Sequence, residues 1–207
     1  MKFMKKAFLL LFFVIVFVPS VNADYYNYPS YGEQQRNIDT SNYYNPKESM
    51  IWEHPSLLKV YIEDNSDKSY LVKNAFYTWN YRLDSFFNFY FVNDESKADI
   101  VCHFLYKTNG DIAGITKPVY RMSREKKKFV AKKAEIIISY SNAYGVFDND
   151  HQYFLSVILH EIGHALGILN HSNNPEDIMY PSVQMDKNNG KLTQRDINTM
   201  KMIYGIK

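Results

Sequence analysis

The chain has 207 residues, of which 46% are hydrophobic and 22% are charged, and its formal net charge is +2. This composition excludes a wholly disordered chain, and the small net charge argues against a protein that binds nucleic acid through a basic field. One domain with its own hydrophobic core is expected.

The first 23 residues have the organisation of a secretory signal peptide. Three lysines precede an apolar run from Ala7 to Val18, and Val21-Asn22-Ala23 forms a small-residue cleavage site. A membrane anchor would need about 20 apolar residues, and this run ends before Pro19. We predict cleavage after Ala23, which removes the three lysines and takes the formal charge from +2 to −1. The mature protein is then expected to be secreted, extracellular or periplasmic, without stable membrane insertion.

Residues 24–50 differ in composition from the rest of the chain. They are rich in Tyr, Asn, Ser and Gln and almost lack aliphatic side chains. Such a segment has too little apolar surface to offset its own ordering entropy. It is therefore a linker, a short pro-segment, or a strip that packs across the domain formed by residues 51–207.

The first part of residues 51–207 shows strand and helix patterns. Strands are predicted at 57–62, 87–92 and 100–105, and a hairpin runs from 112–120 through a Lys-rich tip to 134–139. Residues 64–67 supply caps for a helix. Its buried face is formed by residues at helical spacing: Val72, Ala75, Phe76, Trp79 and Leu83.

Two further helices are predicted in the second half. One follows the capping cluster at 148–150, begins with Tyr153 and Phe154, and ends at Gly167. The last begins at the capping box Thr193–Asp196 and has an apolar face formed by Ile197, Met200, Ile203 and Tyr204.

Neither Cys102 nor the Lys-rich tip is predicted to be a functional site. Cys102 is the single cysteine and lies within a predicted strand, so we expect a buried, inert thiol and no disulfide. The basic residues of the tip lack interleaved aromatic residues, and the mature chain has no positive field. A solvated tip is favoured over a nucleic-acid or glycan site at Lys126, Lys127 and Lys128, so nucleic acid is not expected as a partner.

The sequence His160-Glu161-Ile162-Gly163-His164 predicts a metal site. Two imidazoles four residues apart lie on one face of a helix, one turn apart, and can bind one ion. Imidazole nitrogens suit zinc, and a catalytic zinc needs three protein ligands with an open fourth position. The third ligand should lie beyond the helix, which Gly167 ends, and His171 follows four residues later.

Glu161 is the predicted catalytic base. It is adjacent to a ligand and can point into the cleft, where a carboxylate can take a proton from a metal-bound water as that water attacks a carbonyl. The other histidines, His54, His103 and His151, lack the spacing of ligands.

From His160 onward the sequence resembles the metzincins, and within them the matrixins and their bacterial relatives. The resemblance is carried by the residues 160–167, by His171-Ser172, by Asp177-Ile178-Met179-Tyr180-Pro181 and by the segment 192–205. Weaker likeness includes 75–79, 98–100 and Ala113-Gly114-Ile115-Thr116. The resemblance to this family implies an α+β catalytic domain over 51–207, with a twisted mixed β-sheet, an active-site helix, a Met-turn and a C-terminal helix.

The resemblance also implies how the site works. Met179 would form an apolar floor under the three imidazoles, and a protein or peptide substrate would pair with the edge strand of the sheet, which we place at Ile136–Ser139. One catalytic Zn²⁺ is expected, because the loops that bind structural zinc and calcium in animal matrixins are not recognisable.

Three features depart from the family pattern. Asn170 occupies the usual position of the third ligand, and His171 comes one residue later. We choose His171, since an amide oxygen is a poor zinc ligand beside imidazole and His171 keeps the family's spacing to Met179. No cysteine upstream could serve a thiol-based latency switch, and Val183 stands where the family often has Tyr.

The sequence therefore predicts a secreted, monomeric zinc metalloendopeptidase with the metal ligands His160, His164 and His171 and with Glu161 as general base. The alternative is a secreted binding or adhesion module that has the same fold and keeps the metal for structure. An intact Glu161 favours the enzyme, because a structural zinc site needs no base and usually has four protein ligands.

Overall fold

The computed structural model describes residues 41–63, 66–106, 112–142, 145–146, 151–183 and 190–207. These residues belong to one unit, Asp39–Lys207. The predicted signal peptide, residues 24–40, and the predicted helix caps at 64–65 and 148–150 lie outside the described residues. Within the described ranges, no helix has both the length and the apolarity needed to cross a bilayer.

Six strands form one mixed sheet. They are β1 (Met50–Ile51), β2 (Leu58–Ile62), β3 (Phe89–Val92), β4 (Ile100–Leu105), β5 (Gly114–Ser123) and β6 (Lys128–Ser139). Five run parallel in the order β1-β6-β4-β2-β3, and β5 pairs antiparallel with β6. A separate pair is formed by β7 (Ser141–Asn142) and β8 (Gly145–Val146). The predicted strands and the predicted hairpin are confirmed.

On this side of the sheet the edge strand in the described residues is β5, so the prediction that Ile136–Ser139 forms the edge is wrong. Ile136 pairs with Cys102 of β4 on one side and with Thr116 of β5 on the other. Ile136 and Ile138 are fully buried, as expected for a strand with neighbours on both sides. In contrast, β5 exposes several apolar side chains, and Val119 is 59% exposed.

Besides two short 3-10 helices, the described residues form three α-helices: α1 (Ser66–Arg82), α2 (His151–Leu166) and α3 (Gln194–Tyr204). The predicted apolar face of α1 is confirmed, since Val72, Ala75, Phe76, Trp79 and Leu83 are fully buried. Trp79 joins α1 to α2, because its Nε1 donates to the carbonyl oxygen of Leu159 at 3.0 Å. The capping box at Thr193 and Asp196 is present at the start of α3.

Residues 41–50 pack across this unit. Tyr43 and Tyr44 contact the hydrophobic core, and Met50 is 1% exposed. The Met50 backbone N–H donates to the Gly167 carbonyl at 3.0 Å, and the Leu169 N–H donates to the Glu48 carbonyl at 3.0 Å. The described part of this segment, residues 41–50, therefore packs against the domain.

Cys102 is fully buried in β4, and burial raises the pKa of its thiol above the ordinary value, as expected for an inert cysteine. At the Lys-rich tip, Lys126 lies 3.5 Å from a carboxylate oxygen of Glu53, and Lys128 donates to the carbonyl oxygen of Ile203 at 2.7 Å. Two of the three lysines at the tip therefore contact the domain.

Candidate metal centre

His160 and His164 lie one turn apart on α2, and their Nε2 atoms are 3.0 Å apart. Their Nδ1 atoms point in other directions, towards the Ile178 carbonyl at 2.8 Å and the Ile168 carbonyl at 2.6 Å. A carbonyl oxygen only accepts hydrogen bonds, so each Nδ1 carries the proton. Each Nε2 then keeps an unprotonated lone pair.

His171 joins this pair after the helix ends. Gly167 has a φ of 143°, and a Cβ atom there would lie 2.3 Å from the Met50 carbonyl oxygen, so the reversal of the chain requires glycine. The Nε2 of His171 comes within 3.3 Å of the His164 Nε2. Asn170 points elsewhere, since its Nδ2 donates to the Tyr43 carbonyl oxygen at 2.9 Å.

The three imidazoles fit one zinc ion. Their ligand atoms all lie within 4.8 Å of one another, and they form the one group of three or more potential metal-binding His, Cys, Asp or Glu residues in the described ranges. A tetrahedral ion with Zn–N distances of about 2.05 Å separates its nitrogens by about 3.4 Å, close to the spacings seen here. Converging lone pairs repel one another, so the arrangement favours a cation between them.

Burial keeps these imidazoles neutral, which is the form that binds a metal. Desolvation lowers the pKa of His160 to about 4 and that of His164 to about 3. It also lowers the pKa of His171, which is more exposed. The site therefore presents three neutral nitrogen ligands at neutral pH.

Glu161 lies on the same helix, and its side chain contacts the edge strand. The residue is 6% exposed, and its Oε2 accepts a hydrogen bond from the Thr116 hydroxyl at 2.6 Å. Burial raises the pKa of Glu161 to about 7, although the hydrogen bond from Thr116 opposes this shift. A carboxylate with such a pKa can both take and return a proton near neutral pH.

The loop carrying Met179 is fixed by two buried carboxylates. Asp196 accepts hydrogen bonds from the backbone N–H groups of Ile178 at 3.0 Å and Met179 at 3.4 Å, and from the Tyr43 hydroxyl at 2.6 Å. Asp177 accepts from the Thr193 hydroxyl at 2.6 Å, from Arg195 Nε at 2.9 Å, and from the Ser172 hydroxyl. Because the Ile178 carbonyl binds His160 Nδ1, this network also orients a candidate ligand.

The Met179 side chain is fully buried and packs against α2. A Cβ on Gly163 would lie 2.4 Å from the Met179 sulfur, so Met179 contacts the helix between His160 and His164. The other histidines lie elsewhere: His54 and His151 are exposed, and His103 lies 3.7 Å from Glu63 and Glu95.

Sequence reasoning missed the contacts that Thr116, Tyr43 and Asp196 make with this site. Each links residues far apart in the chain, up to 153 positions for Tyr43 and Asp196. The capping box marked Asp196 only as a helix start. The resemblance at 113–116 marked Thr116 but suggested no role for it.

Several known proteins are similar in sequence to this chain. The family model described as Matrixin matches residues 56–205. Matrilysin from Felis catus is 45% identical over 53 residues, which cover 25% of this chain and 20% of that protein. The probable matrix metalloproteinase 095L of Invertebrate iridescent virus 3 is 30% identical over 132 residues, or 62% of this chain and 36% of that protein.

A longer alignment is found with interstitial collagenase B from Mus musculus, 28% identical over 151 residues, which cover 73% of this chain and 30% of that protein. The chain thus matches about a fifth to a third of the length of these relatives. Among solved structures, myroilysin aligns with a TM-score of 0.48 at 14% identity, over 82% of this chain and 93% of that one. Because the family model covers most of the chain, including the histidine cluster and the Met179 loop, the chain belongs to the matrixin family.

Proposed function

We propose that this protein is a secreted zinc-dependent endopeptidase. Its metal ligands are His160, His164 and His171, and Glu161 is the general base. The observation that carries the proposal is the convergence of three neutral imidazole nitrogens within 4.8 Å of one another, next to a buried carboxylate on the same helix. Three protein ligands leave the fourth position of a tetrahedral ion open, as a catalytic site requires.

Each residue has a defined part in peptide hydrolysis. A zinc ion bound here would supply Lewis-acid chemistry, polarising the substrate carbonyl and acidifying a bound water. Glu161 takes the proton of the attacking water and passes it to the leaving amine, so no covalent enzyme intermediate forms. The backbone carbonyls of Ile178 and Ile168 hold the imidazole rings of His160 and His164 in the orientation that presents Nε2.

The substrate is a protein or peptide in extended conformation. In the described residues β5 pairs with β6 alone, so its other side offers backbone N–H and C=O groups for an added strand. Thr116 of this strand contacts Glu161, so a peptide paired along β5 would pass next to the proposed base. Backbone pairing favours extended segments over folded domains.

Metal content and proteolysis of casein by the purified, processed protein test the proposal. Glu161→Gln should keep stoichiometric zinc and lose hydrolysis, whereas His171→Ala should lose zinc. Asn170→Ala is the matched control for the ligand choice, and it should retain zinc because Asn170 Nδ2 is bonded to the Tyr43 carbonyl.

Two results would overturn the proposal. An Asn170→Ala protein that loses as much zinc as His171→Ala would refute the choice of ligand. A wild-type protein that binds zinc but cleaves no unfolded protein would support the binding or adhesion module instead.

A further inference from the structure

We infer that Thr116 is a positioning residue for Glu161, and that its hydroxyl group holds the carboxylate in the orientation required for proton transfer. The inference rests on the proposed function, in which Glu161 is the base. It adds a residue of the edge strand to a site otherwise built from α2 and the segment that follows it.

The geometry is a short hydrogen bond from a rigid donor. Thr116 Oγ1 lies 2.6 Å from Glu161 Oε2 and 2.9 Å from the Glu161 backbone oxygen. A β-branched side chain has little freedom at χ1, and the Thr116 backbone is paired with Ile136 in the sheet. The donor is therefore fixed relative to α2 and cannot follow the carboxylate if it turns.

Gly114 provides the space that this orientation needs. It lies two residues before Thr116, so both positions face the same side of β5. A Cβ on Gly114 would lie 2.7 Å from Glu161 Cγ and 2.8 Å from Glu161 Oε1. Strand β5 therefore places a hydrogen-bond donor, the Thr116 hydroxyl, at Glu161 Oε2 and leaves space beside Glu161 Oε1.

A carboxylate in this position needs such a donor. Glu161 has several rotatable bonds and is 6% exposed, so contact with bulk solvent does little to fix the orientation of its carboxylate. In the described part of the chain, the bond from Thr116 is the one hydrogen bond that this carboxylate makes. Hydrogen bonds to an ionised oxygen are roughly twice as strong as neutral ones, so this contact can select one rotamer.

A purely structural role is the competing explanation, since Thr116 could tether β5 to α2 through the Glu161 backbone oxygen. The two roles differ in kinetics. Loss of a tether lowers stability and weakens substrate binding by the strand, whereas loss of positioning lowers kcat and leaves KM unchanged.

The test compares Thr116→Val, which keeps the side-chain shape, with Thr116→Ser, which keeps the hydroxyl. Thr78→Val is the matched control, because Thr78 also donates to a backbone carbonyl, that of Asn74 at 2.9 Å, but lies on α1. Zinc content, thermal unfolding, kcat and KM on a fluorogenic peptide are measured for each zinc-loaded protein. The carboxyl ¹³C resonance of Glu161, identified by its loss in Glu161→Gln, reports the hydrogen bond independently of activity.

Thr116→Val should lower kcat by about tenfold to a hundredfold with zinc content and KM unchanged. It should also shift the Glu161 resonance, and Thr116→Ser should restore both values. A Thr116→Val protein with wild-type kcat, or one impaired only as much as Thr78→Val, overturns the positioning role while the proposed function stands. If Glu161→Gln remains fully active, the proposed function itself is wrong, whatever Thr116 does.

Discussion

Tyr43→Phe tests whether residues before β1 support the metal centre. The Tyr43 hydroxyl donates to Asp196 Oδ1 at 2.6 Å, and Asp196 binds the backbone N–H groups of Ile178 and Met179. The substitution removes one hydrogen bond to a fully buried carboxyl group and leaves the aromatic ring in place. It therefore probes the polar contact without creating a cavity.

The expected loss of stability follows from the contacts that remain. Asp196 keeps the backbone N–H groups of Thr193, Ile178 and Met179, so it is not left without donors. A hydrogen bond to a charged group contributes about 1.5–3 kcal/mol to stability. The Tyr43–Asp196 bond should contribute at or below the lower end of this range, because it is partly buried and Asp196 keeps its other donors. We expect about 1–2 kcal/mol, which lowers Tm by about 2–8 °C in a domain of this size.

The assay is thermal and urea unfolding of the zinc-loaded protein, with zinc affinity measured by chelator competition. Tyr44→Phe is the matched control: Tyr44 also packs against the core, and in the described residues its hydroxyl makes no hydrogen bond. Tyr43→Phe should be less stable than Tyr44→Phe and should bind zinc more weakly, because the Ile178 carbonyl orients His160. Equal stability of the two variants, within about 0.5 kcal/mol, would refute this account of the Tyr43 contact.

Three further predictions concern glycine, cysteine and zinc. Gly167→Ala and Gly205→Ala both place a side chain at positive φ, but only the first meets an atom, the Met50 carbonyl oxygen at 2.3 Å. In urea unfolding, Gly205→Ala should lower the free energy of unfolding by about 1 kcal/mol, and Gly167→Ala should lower it by several times more. Equal losses for the two variants would contradict this prediction. Cys102 should react with a thiol reagent only after unfolding, because it is fully buried in β4, and rapid labelling of the native protein would contradict its burial. Zinc removal by a chelator should lower Tm, and free zinc at about 100 times its Kd should raise the free energy of unfolding by about 2.7 kcal/mol. An unchanged Tm would show that the folded site binds no metal.

The sequence correctly predicts the helices and strands whose hydrophobic pattern fits only one kind of secondary structure. The buried face of α1 repeats at helical spacing from Val72 to Leu83, and every member is fully buried. The strand Ile100–Leu105 was predicted with the bounds that the structure gives. At the metal centre, spacing brought His160 and His164 onto one helix face, and Gly167 indicated the end of that helix.

Local patterns could not predict partners across the sheet. The run Ile136-Ile137-Ile138 fits either a strand at an edge or one inside a sheet. The hydrophobic pattern of β5 does not show which of its faces packs on the domain, because Ile115 and Val119 are exposed while Thr116 is partly buried. The contacts of Thr116 with Glu161 and of Tyr43 with Asp196 join residues 45 and 153 positions apart. Such contacts depend on the assembled tertiary structure, and no short-range periodicity records them.

Gly163 is a position where helix propensity and packing make opposite predictions. Alanine in place of a helical glycine should stabilise α2 by about 1 kcal/mol. However, its Cβ would lie 2.4 Å from the Met179 sulfur and 3.1 Å from Trp79 Cζ2. Overpacking in a fully buried site costs about 1–3 kcal/mol, so packing should win, and Gly163→Ala should lower both Tm and zinc affinity by displacing the loop that holds His160. A variant with raised Tm and unchanged zinc affinity would show that Met179 moves freely and does not support the imidazoles.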